Sequence, residues 1–88
     1  MKREIKTYLN AVKKLLMETY GESDENVHVD DVDTLVQYTG YGHGGEGGIR
    51  CECVSDMYDV MNADDFPECP AGYFAECINS WSFGVYKV

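Results

Sequence analysis

Cysteine and histidine are the residues in this chain best suited to hold a metal or perform nucleophilic chemistry. Their spacing argues against both roles. Cys51 and Cys53 are separated by a single residue, Cys69 and Cys77 stand alone, and His28 and His43 lie elsewhere. Structural zinc sites usually draw on ligand pairs two to four residues apart, so no metal and no cofactor are expected. If a metal-binding module were built here, its ligands would come from Cys51, Cys53, Cys69 and Cys77, with His43 as a further donor. Neither histidine neighbours a serine or cysteine in a nucleophile signature such as G-x-S-x-G. The chain is therefore expected not to be an enzyme.

The run Gly42-His43-Gly44-Gly45-Glu46-Gly47 matches G-x-G-x-x-G letter for letter. That motif binds dinucleotides only when it opens a helix whose N-terminus receives the pyrophosphate. Here a strand-like segment follows, and Glu46 puts negative charge where phosphates would sit. A loop joining two strands is the expected reading.

Carboxylates dominate what remains. They cluster as Glu22/Asp24/Glu25, Asp30/Asp31/Asp33, Glu52/Asp56/Asp59 and Asp64/Asp65/Glu68. EF-hand spacing after Asp30 is absent, so these groups are not read as a calcium loop. Five of the seven basic residues lie within the first fourteen positions, and residues 15–88 carry two basic against fifteen acidic side chains, a net −13. Such a field governs what the surface attracts and repels. Direct nucleic-acid binding, which draws its affinity from Lys and Arg on phosphates, is not expected, and neither is binding to anionic membranes.

The elements that must position these groups follow from periodicity. The 88 residues, 44% hydrophobic with seven Tyr, three Phe and one Trp, suit one small folded domain rather than an acidic tail. Ile5, Tyr8, Leu9, Val12, Leu15, Leu16 and Tyr20 recur at three- and four-residue spacing, so residues 2–20 read as an amphipathic helix closed by Gly21. Residues 21–33 read as an acidic connector with at most a short strand at Val27–Val29. Leu35–Thr39 and Ile49–Val54 read as a hairpin around the loop 40–48. In its second strand Ile49, Cys51 and Cys53 point one way and Arg50, Glu52 and Val54 the other.

Residues 55–63 fit either a short helix capped by Ser55 or an extended strand, and Asn62–Pro67 a turn. Tyr73, Phe74, Cys77, Ile78 and Trp81 follow helical spacing after Pro70, although Gly72 disfavours a helix there. Trp81–Val88 alternates as a last strand. The fold class expected is α+β: an N-terminal amphipathic helix packed on a small antiparallel sheet, with one or two short helices in the second half. No signal peptide or membrane span is read, which makes a cytoplasmic location the expectation. In a reducing compartment the four cysteines default to buried free thiols, with metal and disulfide alternatives left open.

Small size, acidic charge, one α+β domain and no catalytic signature together resemble phage-encoded inhibitors of host defence, of the anti-restriction and anti-CRISPR type. The resemblance is one of overall character. It implies a non-catalytic inhibitor, acting in the host cytoplasm, that docks on a basic nucleic-acid-binding protein and occludes its site. The carboxylates assigned to docking are Asp30, Asp31, Asp33, Glu52, Asp56, Asp59, Asp64, Asp65 and Glu68. Charges spaced roughly 5–7 Å apart on helices and strands lie within a factor of about two of the phosphate spacing along one strand. A generic acidic interaction domain, or simple solubility, is the plainer reading of the same charge.

Overall fold

A computed structural model describes residues 1–52 and 56–88. The expected strand end at Cys53 and Val54, and the cap at Ser55, lie outside the described residues. The order of elements is α1 (Arg3–Thr19), a single 3-10 turn (Asp24–Asn26), β1 (Val27–Asp30), α2 (Val32–Thr39), β2 (Gly47–Cys51), α3 (Met57–Met61), β3 (Tyr73–Asn79) and β4 (Ser82–Lys87). The four strands form one antiparallel sheet in the order β1-β2-β4-β3. The fold is α+β.

The helical stripe of α1 buries Ile5, Tyr8, Leu9, Val12 and Leu16, the four aliphatic side chains each contributing about 1.5–3 kcal/mol relative to exposure. The helix ends as its sequence dictates. Gly21 turns the chain at φ +73°, and the Glu22 N–H donates back to the Leu16 carbonyl at 3.1 Å. Against this stripe the sheet presents Val27, Ile49, Cys51, Phe83 and Val85, joined by Met57 and Val60 of α3. Phe66 wedges between Tyr8 and Phe83 with edge-on ring contacts at 6.4 and 5.8 Å.

Two expected elements have the other secondary structure. Residues 35–39 belong to helix α2, not to a hairpin strand. Asp31 caps it by accepting from Thr34 N–H at 2.8 Å, and Gly40 closes it at φ +77°. These end signals outweigh the β-propensity of Val36, Tyr38 and Thr39. The loop 40–46 therefore links a helix to a strand, and β2 pairs with β1 and β4 instead. Residues 73–79 form strand β3, not a helix. Gly72 sits at φ +88°, where a helix cannot continue. Period two also fits, because Tyr73, Ala75 and Cys77 pack toward the core. The two-residue turn to β4 is fastened by Asn79, whose side-chain oxygen accepts from Trp81 N–H at 3.0 Å and Ser82 Oγ–H at 2.7 Å. Of the two readings open for 55–63, the helix is present over Met57–Met61, capped by Asp56.

Helix α2 covers the sheet face opposite α1. Its Leu35 packs so closely on Gly48 that a Cβ there would stand 2.8 Å from Leu35 Cδ2 and 2.1 Å from the Phe83 carbonyl oxygen. Only glycine permits that approach. Helix α2 spans the β1–β2 half of this face.

Candidate functional site

Alternation along β1 and β2 turns Asp30 and Arg50 toward the α2 side of the sheet. There Arg50 donates through Nε to Asp30 Oδ2 and through Nη2 to Asp30 Oδ1 at 3.3 Å. The Tyr38 ring caps the guanidinium, 3.8 Å from its centroid. Asp30 is 5% exposed and Arg50 8%. This corrects the expectation that Asp30 is a solvated docking carboxylate: it neutralises the one cation between Lys14 and Lys87. The Asp30 carboxylate, overcoming the cost of burial, holds Arg50 above the usual arginine range.

The other eight carboxylates, Asp31, Asp33, Glu52, Asp56, Asp59, Asp64, Asp65 and Glu68, are exposed. The register separates them. Asp31 and Asp33 follow the Asp30–Gly48 end of the sheet, whereas Glu52 and Asp56 lie at the Val27–Cys51 end. At that second end Cys51 N–H donates to the Trp81 carbonyl and Met57 N–H to the Ser80 carbonyl, which fixes α3 and its Asp56 and Asp59 beside the β3–β4 turn. Asp64, Asp65 and Glu68 follow in the segment after α3. Two of these groups work locally as caps. Thr34 N–H holds the Asp31 carboxyl below the usual range, and Asp56 accepts from Tyr58 N–H at 3.0 Å.

Charge compensation is sparse. Among the described residues the ion pairs are Lys2–Glu46, Lys13–Asp24, Lys14–Glu18 and Arg50–Asp30. None includes any of the eight exposed carboxylates. Lys2 also donates to the Tyr73 hydroxyl at 3.0 Å, the main reason its ammonium is held above the usual range. Three of the five N-terminal cations, Lys2, Lys13 and Lys14, are thus engaged with the protein's own surface.

No three His, Cys, Asp or Glu side chains among the described residues are grouped to hold a metal ion. Cys51 is buried, and Cys69 and Cys77 are half-buried. Burial pushes the Cys69 and Cys77 thiols up, away from the thiolate that nucleophilic chemistry needs. Cys69 lines a groove of about 500 Å³ with Tyr8, Met61, Phe66, Pro67 and Pro70. Tyr8 Oη is buried there beside the Cys69 thiol, and burial, followed by that thiol, pushes its phenol up. His43 is exposed in the glycine loop, which turns back through a Gly45 N–H to Gly42 carbonyl bond and leads into strand β2. The helix that a dinucleotide motif requires does not follow it.

Periodicity and charge do not single out Tyr41 or Tyr86 on the β4–β3 half of the α2-side face. Phe74 and Tyr86 stack there at 5.6 Å, and Tyr41, 67% exposed, lines the same recess as Tyr86. The signal was the tyrosine pair Tyr38/Tyr41 flanking Gly40, which becomes meaningful only once α2 is a helix.

No protein-family model, curated protein or solved structure matches the chain. No helix among the described residues is long and apolar enough to cross a membrane.

Proposed function

We propose that this protein is a non-catalytic, acidic binding protein that docks on the basic surface of a nucleic-acid-handling protein and blocks it, as anti-restriction and anti-CRISPR inhibitors do. The observation that supports this reading is the exposure of Asp31, Asp33, Glu52, Asp56, Asp59, Asp64, Asp65 and Glu68 with no ion-pair partner among the described residues. Such charge serves solubility; eight carboxylates unpaired among the described residues also produce a field that steers basic partners to the protein.

The test is competition. The protein is titrated into a host-defence nuclease complex already carrying labelled DNA or RNA. Displacement at a single shared site supports occlusion. A stable ternary complex with undiminished affinities overturns it.

A further inference from the structure

The uncovered half of the α2-side sheet face holds a recess of about 290 Å³, lined by Tyr41, Gly42, Glu76, Cys77, Ile78 and Tyr86. Its construction is legible from the strands. Glu76 of β3 lies opposite Gly84 of β4, and Tyr86 lies back over Gly84, with its Oη 2.8 Å from where a Cβ would stand. The missing side chain at Gly84 lets the phenol lie flat beside the carboxylate. Phe74 stacks on Tyr86 at 5.6 Å, and Gly45 of the loop closes on the ring edge. Tyr41 lines the recess from the loop after α2. Burial, and then the Glu76 charge, push the Tyr86 phenol up. Glu76 is exposed and has no ion-pair partner among the described residues.

Across the same face the fold has already combined these components once. Arg50 is held by one carboxylate, Asp30, and one tyrosine ring, Tyr38. The recess offers a carboxylate, two phenol rings and an aliphatic wall, with no cation of its own. A guanidinium meets both requirements, because it pairs with a carboxylate and stacks on aromatic faces. An ammonium can also meet a carboxylate and a ring, as Lys2 does with Glu46 and Tyr73. As a point charge, however, it lacks the planar stacking and forked donors of a guanidinium.

We propose that the Tyr41–Glu76–Tyr86 recess is an arginine-binding site that receives a guanidinium side chain from a basic partner protein. The inference rests on the docking reading above and specifies one contact within it. Charge complementarity selects the occupant: a second copy of a chain with net charge −9 would be repelled, and a phosphate-bearing ligand more so.

The test uses a tetra-arginine peptide, with tetra-lysine of the same length as the control, followed by amide chemical-shift mapping. The arginine peptide is expected to bind several-fold more tightly than the lysine peptide and to shift resonances of Tyr41, Glu76, Ile78 and Tyr86. Glu76→Gln and Tyr41→Ala are each expected to weaken it about ten-fold, equivalent to about 1.4 kcal/mol. The paired change Asp64→Asn with Asp65→Asn should have a much smaller effect. Shifts centred on Asp64, Asp65 and Glu68, or equal affinities for the two peptides, overturn the recess while leaving acidic docking intact. Failure of the competition experiment with the recess still binding arginine overturns occlusion instead.

Discussion

Among the described residues, Asp30 and Arg50 form the one ion pair whose side chains are both largely withdrawn from water, at 5% and 10% exposure. It joins neighbouring strands diagonally, since Asp30 is registered with Gly48 and Arg50 with His28. Removing one partner strands a charge beneath Tyr38. Asp30→Ala is expected to cost about 3 kcal/mol or more, measured by urea unfolding. The double change Asp30→Leu with Arg50→Met should recover most of that loss, because neither charge is left buried. Equal costs for the single and double variants would show that a stranded charge is not the source of the loss.

Asp31 links stability to acid. Its folded-state carboxyl is held below the usual value by the Thr34 N–H, so its capping contribution is complete above the unfolded carboxylate value of about 3.9. That contribution is lost as pH falls through the lower folded value. Asp31→Ala should therefore destabilise the protein at pH 7, and the gap from the parent should narrow as the pH is taken well below 3. Unfolding curves of both proteins across that range check the sign. A gap that widens in acid contradicts it.

Raised thiol values at Cys69 and Cys77 predict slow chemistry at neutral pH. In a Cys53→Ser background, a disulfide reagent should modify these thiols more slowly than free cysteine at pH 7, with the rate climbing into the alkaline range. Rapid stoichiometric modification at pH 7 would show a thiolate that this packing does not support.

Ionic strength should separate steering from contact in the docking reaction. As the Debye length falls from about 10 Å at 0.1 M to about 3 Å at 1 M, the association rate on a basic partner should fall more than dissociation rises. Changing Asp64, Asp65 and Glu68 to their amides should lower the same rate. Each of these exposed changes should alter stability by no more than about 0.5 kcal/mol. A salt-independent association rate runs against the proposed mode of binding.

What the sequence made legible was whatever a single element encodes by itself. The α1 stripe, the Gly21 stop, the strand at Val27 and the alternation of Phe83 and Val85 all follow from local period and end signals. Residues 35–39 and 73–79 fit either secondary structure, because β-branched and aromatic residues suit both periods over short runs. Their end signals, Asp31 with Gly40 and Gly72 with Asn79, decide the matter. The buried role of Asp30 was hidden for a different reason. Its partner lies twenty positions away, and only strand pairing brings them together. The recess around Glu76 was hidden likewise, since Tyr41, Glu76 and Tyr86 come from three separate segments.

Strand β4 follows β1, β2 and β3 in the chain yet lies between β2 and β3 in the sheet. During synthesis on the ribosome, α1 can coil as soon as it emerges, but β2 and β3 have no common partner until β4 is out. The sheet therefore closes late and almost at once, through sequence-distant pairing that is slow relative to hairpin formation. Until then Ile49, Ala75 and the α1 stripe have no complete core to enter, so the nascent chain should remain protease-sensitive up to the appearance of residues 82–87.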